Sequence, residues 1–369
     1  MSRHSTTLAA VAAVATVTLV PATSASAGVH RHHQGASITV RERKLVSDQP
    51  GVAQVTDPHL VNAWGMSHGP DTPLWVSDNG ADVSTLYSGA TGATPPQVVP
   101  LTVSIPGGAP TGQVFNDTHG FEVPGTGEPA LFVFAGENGD LAAWNQSVSP
   151  LTSAVHVAHT RHGVYKGLAL VHTDAGPMLL ATNFHSGRVD VFNRSFRRVH
   201  DRRLFRDPSL PGGFAPFGIT TIGRRVYVSY AKQDAARHDD AAGPGRGFVD
   251  AYTTDGAFVR RLVSRGALNS PWGMVRAPST FGRFAGKLLV GNFGDGRVHA
   301  YSRSSGRLVG ALTRPNHRPL VIDGLWGLTQ GDPAAGGSGT VWFSAGPDGE
   351  AHGLLGTLRA ASAAHGSGG

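Results

Sequence analysis

Along most of this chain, short runs of alternating apolar and polar residues are separated by clusters of glycine, asparagine and aspartate. LWVSDNGADVSTLYS, LFVFAGENGDLAAWN, MLLATNFHSGRVDVFN and KLLVGNFGDGRVHAYS each place two such runs around a polar turn, the pattern of a β-hairpin whose alternate side chains face a core. A further run follows in most cases, as in PQVVPLTV and AFVRRLVS. A glycine followed by an apolar residue precedes each group, in AWGM, THGF, YKGL, PFGI, PWGM and LWGL, at Gly65, Gly120, Gly167, Gly218, Gly273 and Gly327. The period of roughly fifty residues is that of propeller blades. Six four-stranded sheets set radially leave only short, protected edges, so the predicted fold is an all-β, six-bladed β-propeller.

The last group ends at HGLLGTLRA, one strand short, and the stretch ITVRERKLVSD near the N-terminus resembles FVRRLVSRG of the fourth unit. Residues 38–48 are therefore expected to supply the missing outer strand and close the ring. The propeller then spans 38–359, with 360–369 as a flexible tail. Ahead of it, Arg3, an apolar run from Leu8 to Val20 and the small-residue sequence Ala25-Ser26-Ala27 read as a secretory signal peptide over 1–27. Residues 28–37 form a linker whose His30, His32 and His33 belong to a solvated segment. The apolar run is shorter than the roughly twenty residues of a spanning helix, so a secreted or wall-associated protein without a membrane anchor is expected.

Composition agrees with a chain that turns often: 50 glycines, 24 prolines and only 15% charged residues among 369. With no cysteine, ring closure must come from packing and strand pairing rather than disulfides. The formal charge of +6 suits anionic cell-wall polymers or acidic glycans outside a cell better than nucleic acid.

SPWGMVRAP followed by KLLVGNFGDGRVHAYSRSSG resembles an NHL-type propeller repeat. With WVSDNG, YKGLA, ATNFH, YAKQDA and GLWGL, it makes residues 38 to 359 similar to a family of secreted bacterial six-bladed propellers with NHL-like repeats and no established activity. The resemblance implies fold and export.

In such a blade, the start of the first strand and the loop joining the second and third strands lie at the same end of the channel. The residues before the repeat glycines, Trp64, His119, Lys166, Phe217, Trp272 and Trp326, are thus expected to share a rim with polar residues of those loops. The aromatics wedge between blades, while His119 and Lys166 are candidates for an anionic or polar ligand. Four rim residues, Asp78, Glu137, Asn183 and Asn292, offer the hard oxygens that calcium prefers. Six-bladed lactonases and related esterases hold calcium with a set similar in kind, although no motif of those hydrolases stands out. In that reading His185 or His352 serves as general base toward an ester or lactone. Alternatively His185, His238 and His352 with Asp234 or Glu350 bind zinc. A propeller provides no strand-to-helix turn for a nucleophile elbow, and no phosphate-binding glycine loop occurs.

The fourth unit replaces a short turn with roughly seventeen residues, Ala231 to Gly247, a length more typical of functional loops. Lys232, Asp234 and His238 in it are candidate ligand contacts, and its AGPGRG end is a candidate hinge. The run NRSFRRVHDRRLFRD carries six arginines over 193–207, as expected of a charge-protected edge strand or a wall-binding patch. Together these features predict a ligand-binding module for a small molecule, glycan or extracellular protein; a calcium-dependent hydrolase of lactones or small esters is the alternative.

Overall fold

The computed structural model describes residues 37–361 except Asp71 and Ala93; the expected signal peptide and its following histidines lie outside the described residues. Strand pairing gives three four-stranded antiparallel sheets, a five-stranded sheet, and a nine-stranded sheet in which two such units are joined through Ile38–Ser47. The units' first strands are Ala63–Ser67, Pro110–Phe115, Tyr165–Thr173, Phe214–Ile222, Pro271–Arg276 and Leu325–Gln330, and each touches the next around a closed ring. The chain forms a β-propeller.

Alternation along the strands builds the layers between units. In the third unit's second strand, Gly176–Asn183, Leu179 and Ala181 join one apolar cluster with Phe132, Phe134 and Trp144 of the second unit. Leu180, pointing the other way, packs with Val226, Val228 and Tyr252 of the fourth. Both faces of each sheet are buried, so second strands read as continuous apolar runs rather than as half-polar ones.

The sixth unit takes its outer strand from the N-terminal side, as the sequence predicts. Ile38–Ser47 pairs antiparallel with Leu354–Ala360, Val40 opposite Ala360 and Ser47 opposite Leu354. Its Val40, Leu45 and Val46 are fully buried, and burial of such side chains contributes about 1.5–3 kcal/mol each. Ile38 and Thr39 also pair parallel with Leu312 and Thr313 of the fifth unit, tying the closure to its neighbour without a covalent bond.

The arginine run departs from expectation. Only Arg198–Val199 pairs as an outer strand. Beyond it the chain leaves the edge and crosses toward the fourth unit, where Phe205 is buried and its amide donates to Gly256 O at 2.8 Å. Asp207, also in this crossing, binds Arg261 of the fourth unit's outer strand. Arg202, Arg203 and Arg206 therefore sit in a loop and guard no strand edge.

Candidate functional site

The propeller axis is lined by glycines because the inner strands approach too closely for side chains. A Cβ on Gly65 would meet Thr111 O, and one on Gly112 would meet Gly167 and the Leu168 amide. Likewise Gly167 faces Phe217 O, Gly218 faces Trp272 O, Gly273 faces Trp326 O and Gly327 faces Trp64 O. The second unit thus contributes Thr111-Gly112, not His119-Gly120. His119 lies exposed in the long connection after Phe115, at the opposite end from the rim. Thr111 fits the ring because its hydroxyl reaches Tyr165 O at 2.9 Å and Ala135 O at 3.1 Å. In the third and fourth units that hydroxyl sits on the second strand, at Thr182 and Ser229.

At the loop-rich end the channel is plugged. Trp64 stacks on Trp326 at 3.4 Å between ring centroids, Phe293 stacks on the other side of Trp326 at 4.0 Å, and Trp272 and Phe217 meet Trp326 at 5.6 and 5.7 Å. Lys166 replaces an aromatic in this ring. Its Nζ lies 5.2 Å from the Trp64 ring centre, binds Glu137 Oε1 and reaches Asp239 Oδ1 at 3.0 Å. Burial works against the Lys166 charge, but the two carboxylates outweigh it and hold the pKa above the usual lysine value. Burial likewise opposes ionisation of Asp239, yet Lys166 brings that carboxyl below its usual range.

A chain of polar contacts continues from this pair. Asn79 Nδ2 donates to Glu137 Oε2 at 3.1 Å, and Asn62 Nδ2 reaches Asn79 Oδ1 at 3.1 Å and Glu350 Oε2 at 2.7 Å. Burial raises the pKa of Glu350. The long fourth-unit loop folds onto the same end: Asp234 Oδ1 accepts from the His238 amide at 2.9 Å, and His238 Nδ1 lies 3.0 Å from Asp239 Oδ1. Lys232 points elsewhere, over the Phe214 ring at 5.4 Å.

The four proposed calcium ligands are already engaged with other groups. Glu137 is held by Lys166, so an ammonium already stands where a cation would. Asn183 Nδ2 donates to Asp190 Oδ2 at 2.8 Å while its Oδ1 accepts from the Ser186 amide at 3.1 Å, and Asn292 Nδ2 donates to Ala267 O and Asp295 Oδ1 at 2.8 and 3.1 Å. Asp78, fully buried with its pKa pushed well up by burial, accepts from Thr85 at 2.8 Å. Glu137 bridges to its neighbours, Asn183 and Asp78 serve their own units, and of the four only Asp78 Oδ1 and Asn292 Oδ1 stay buried without a partner. The ligand atoms that do cluster, within 4.8 Å, belong to Glu137, His238 and Asp239. His352 is tied to Asp48 at 2.7 Å beside the closing strand, and His185 sits half-buried in the third unit's turn.

The open half of the channel faces the other way. A cavity of about 400 Å³ runs down to the glycine ring and Trp272. Its walls combine apolar Met66, Leu168, Ile219 and Leu328 with Ser67, Gln113, Thr220, Thr221 and Thr329. His172 also lines it and pairs with Asp117 at 3.0 Å; His68, also in the lining, pairs with Asp332 at 2.8 Å. Ser67 Oγ and Gln113 Oε1 are buried without a hydrogen-bond partner. These residues follow the repeat glycines instead of preceding them. The residues directly after each inner-strand glycine are the sequence signal that could have found them.

No known family profile matches the chain. Among solved structures it is similar to a Penicillium chrysogenum alpha-L-arabinanase complexed with arabinobiose, with a TM-score of 0.53, 12% identity and coverage of 88% of this chain and 98% of that one. It is also similar to a glucose dehydrogenase, with a TM-score of 0.52, 11% identity and coverage of 88% and 100%. At such identities the likeness is one of fold. Two curated relatives come from Acanthamoeba polyphaga mimivirus, whereas the sequence resemblance pointed to bacteria. Uncharacterized protein R648 is 32% identical over 324 residues, covering 85% of this chain and 78% of the relative, and Uncharacterized protein L690 is 33% identical over 334 residues, covering 88% and 86%. The chain therefore belongs to the family that includes R648 and L690.

Proposed function

We propose that the chain is an extracellular binding module that takes a neutral, polyhydroxylated small molecule, such as a mono- or disaccharide, into the open half of its channel. One observation carries this reading: the cavity in the open half of the channel sets the side chains of Thr220, Thr329, His68 and His172 among apolar Leu168, Ile219 and Leu328. The volume lies within the range of small-molecule sites, and hydroxyl and imidazole groups, with the one lining carboxylate, Asp117, paired to His172, suit a ligand without net charge. Export is supported by the first 27 residues.

The test is thermal unfolding of the mature protein against a saccharide panel. A ligand at a hundred times its Kd stabilises the folded state by about 2.7 kcal/mol. Thr220→Val removes a part-buried lining hydroxyl, so it should leave the melting temperature of the free protein unchanged or higher while weakening the ligand about tenfold. If no saccharide raises the melting temperature, or Thr220→Val leaves affinity intact, the reading fails. The competing reading, a calcium-dependent hydrolase of lactones or small esters, draws on the unpartnered oxygens of Asp78 and Asn292. Calcium in excess over EDTA tests it in the same assay: a reversible rise supports it, and an unchanged curve removes it.

A further inference from the structure

The strand that closes the ring carries an arrangement that a β-sheet normally avoids. Arg41 and Arg43, two residues apart on Ile38–Ser47, project from one face of the sheet. Arg359 on Leu354–Ala360 lies directly opposite Arg41. Like charges in that relation are destabilising. Among the described residues none of the three has a carboxylate partner within ion-pair distance. They line a groove of about 800 Å³ with Lys44 and Arg314; Glu42 is its one carboxylate and is already bound to Arg314 at 3.3 Å. A second groove, about 1080 Å³, shares Pro315 and Arg359 with the first and adds Arg283 and His317.

The arginine-rich loop of the third unit shows what a self-compensated basic groove looks like. There Asp190 is bound by Arg198, Asp201 by Arg203 and Asp207 by Arg261. Among the described residues lining the grooves of the closing blade, Glu42 with Arg314 is the one such pair.

We propose that the paired grooves on the closing blade bind an extended polyanion, a linear chain of closely spaced phosphates. Guanidinium forks match phosphate oxygens in pairs, and two adjoining grooves joined at Arg359 suit a chain better than a single ion. A ligand spanning Arg41 and Arg359 also crosses from the closing strand to the last strand, so it opposes opening of the ring.

Inorganic polyphosphate and orthophosphate, compared at equal phosphate concentration and ionic strength, test the proposal by titration calorimetry and melting temperature. Polyphosphate should bind and raise the melting temperature, and orthophosphate should do neither. A triple variant, Arg41→Gln with Arg43→Gln and Arg359→Gln, should lose affinity about tenfold or more and melt no lower than the parent in the absence of ligand. Arg188→Gln with Arg202→Gln and Arg206→Gln removes the same charge from the third-unit groove and should change affinity less than about twofold. Equal losses in the two triples, no polyphosphate binding, or orthophosphate acting as well as polyphosphate would each overturn the proposal. So would tighter binding of duplex DNA at the same salt. Should the first triple fail to fold, Arg359→Gln alone decides by the same comparison against Arg206→Gln.

Discussion

Lys166→Met removes the one charged side chain from the aromatic ring at the plugged end of the channel. The lysine is 1% exposed, Glu137 16% and Asp239 64%. Breaking a fully buried pair from one side costs about 3–5 kcal/mol, because the remaining charge is stranded. Asp239 can turn to water, so its share is below about 1 kcal/mol. Glu137 cannot, and it retains Asn79 Nδ2 as a donor at 3.1 Å, which places the net loss at about 2–4 kcal/mol. In a domain of this size that lowers the melting temperature by about 3–6 °C. Adding Glu137→Gln should restore most of the loss, since no buried carboxylate is then left alone. Urea unfolding of the two singles and the double measures the coupling directly. The pH dependence has a definite sign. The raised Lys166 pKa contributes stability that is complete below the ordinary lysine value and disappears as pH rises through the folded one. The lowered Asp239 pKa contributes above the ordinary carboxylate value and is lost as pH falls through the folded one. A single variant within 0.5 kcal/mol, as expected of an ordinary surface change, or a double variant showing simple additivity, would refute the buried-pair account.

Two further outcomes follow from the same physics. Gly218→Ala drives a methyl into the Trp272 carbonyl, so it should destabilise by several kcal/mol or prevent folding, whereas Gly212→Ala, with open space around it, should be neutral within about 0.5 kcal/mol in thermal unfolding. Asp250, whose pKa burial pushes up to about 8, keeps its proton in the folded state after the unfolded chain has lost it; stability should therefore fall as pH rises from about 4 to about 8, by up to about 1.4 kcal/mol per unit, and Asp250→Asn should flatten that slope in a pH series of urea curves.

The propeller was legible because its determinants are local and repeated. Trp64-Gly65, Phe217-Gly218 and Trp272-Gly273 mark inner strands through a steric need that any one blade reveals. The second unit misled because His119-Gly120 stands at an ordinary distance before LFVFAG. The true inner strand, PTGQVF, is separated from it by the connection of residues 116–131 and has threonine where other blades have an aromatic or lysine. Rim chemistry was less legible for a different reason. Asn183 and Asn292 occupy the ends of second strands, where an amide completes its own turn, and sequence does not separate that use from a ligand contact. The Lys166–Glu137–Asp239 cluster joins three blades, so pairing its members required the ring to be assembled. The open end of the channel was hidden because side chains such as Ser67 and Thr220 are unremarkable strand residues until the glycines beside them bring six strands together.

The pairing of Ile38–Ser47 with Leu354–Ala360 also bears on the order in which the molecule can form. The first described strand waits for a partner more than 300 residues downstream, and no ring exists until that partner has been synthesised. Each hairpin is a local contact and forms early, but the closing pair is among the most non-local contacts in the chain, the kind whose loop entropy slows folding. Until it forms, the edge of Leu354–Ala360 and the buried faces of Leu355 and Leu358 are exposed to other chains. The interval before closure is therefore the stage at which a folding helper, or a competing strand from a second copy, has its greatest effect.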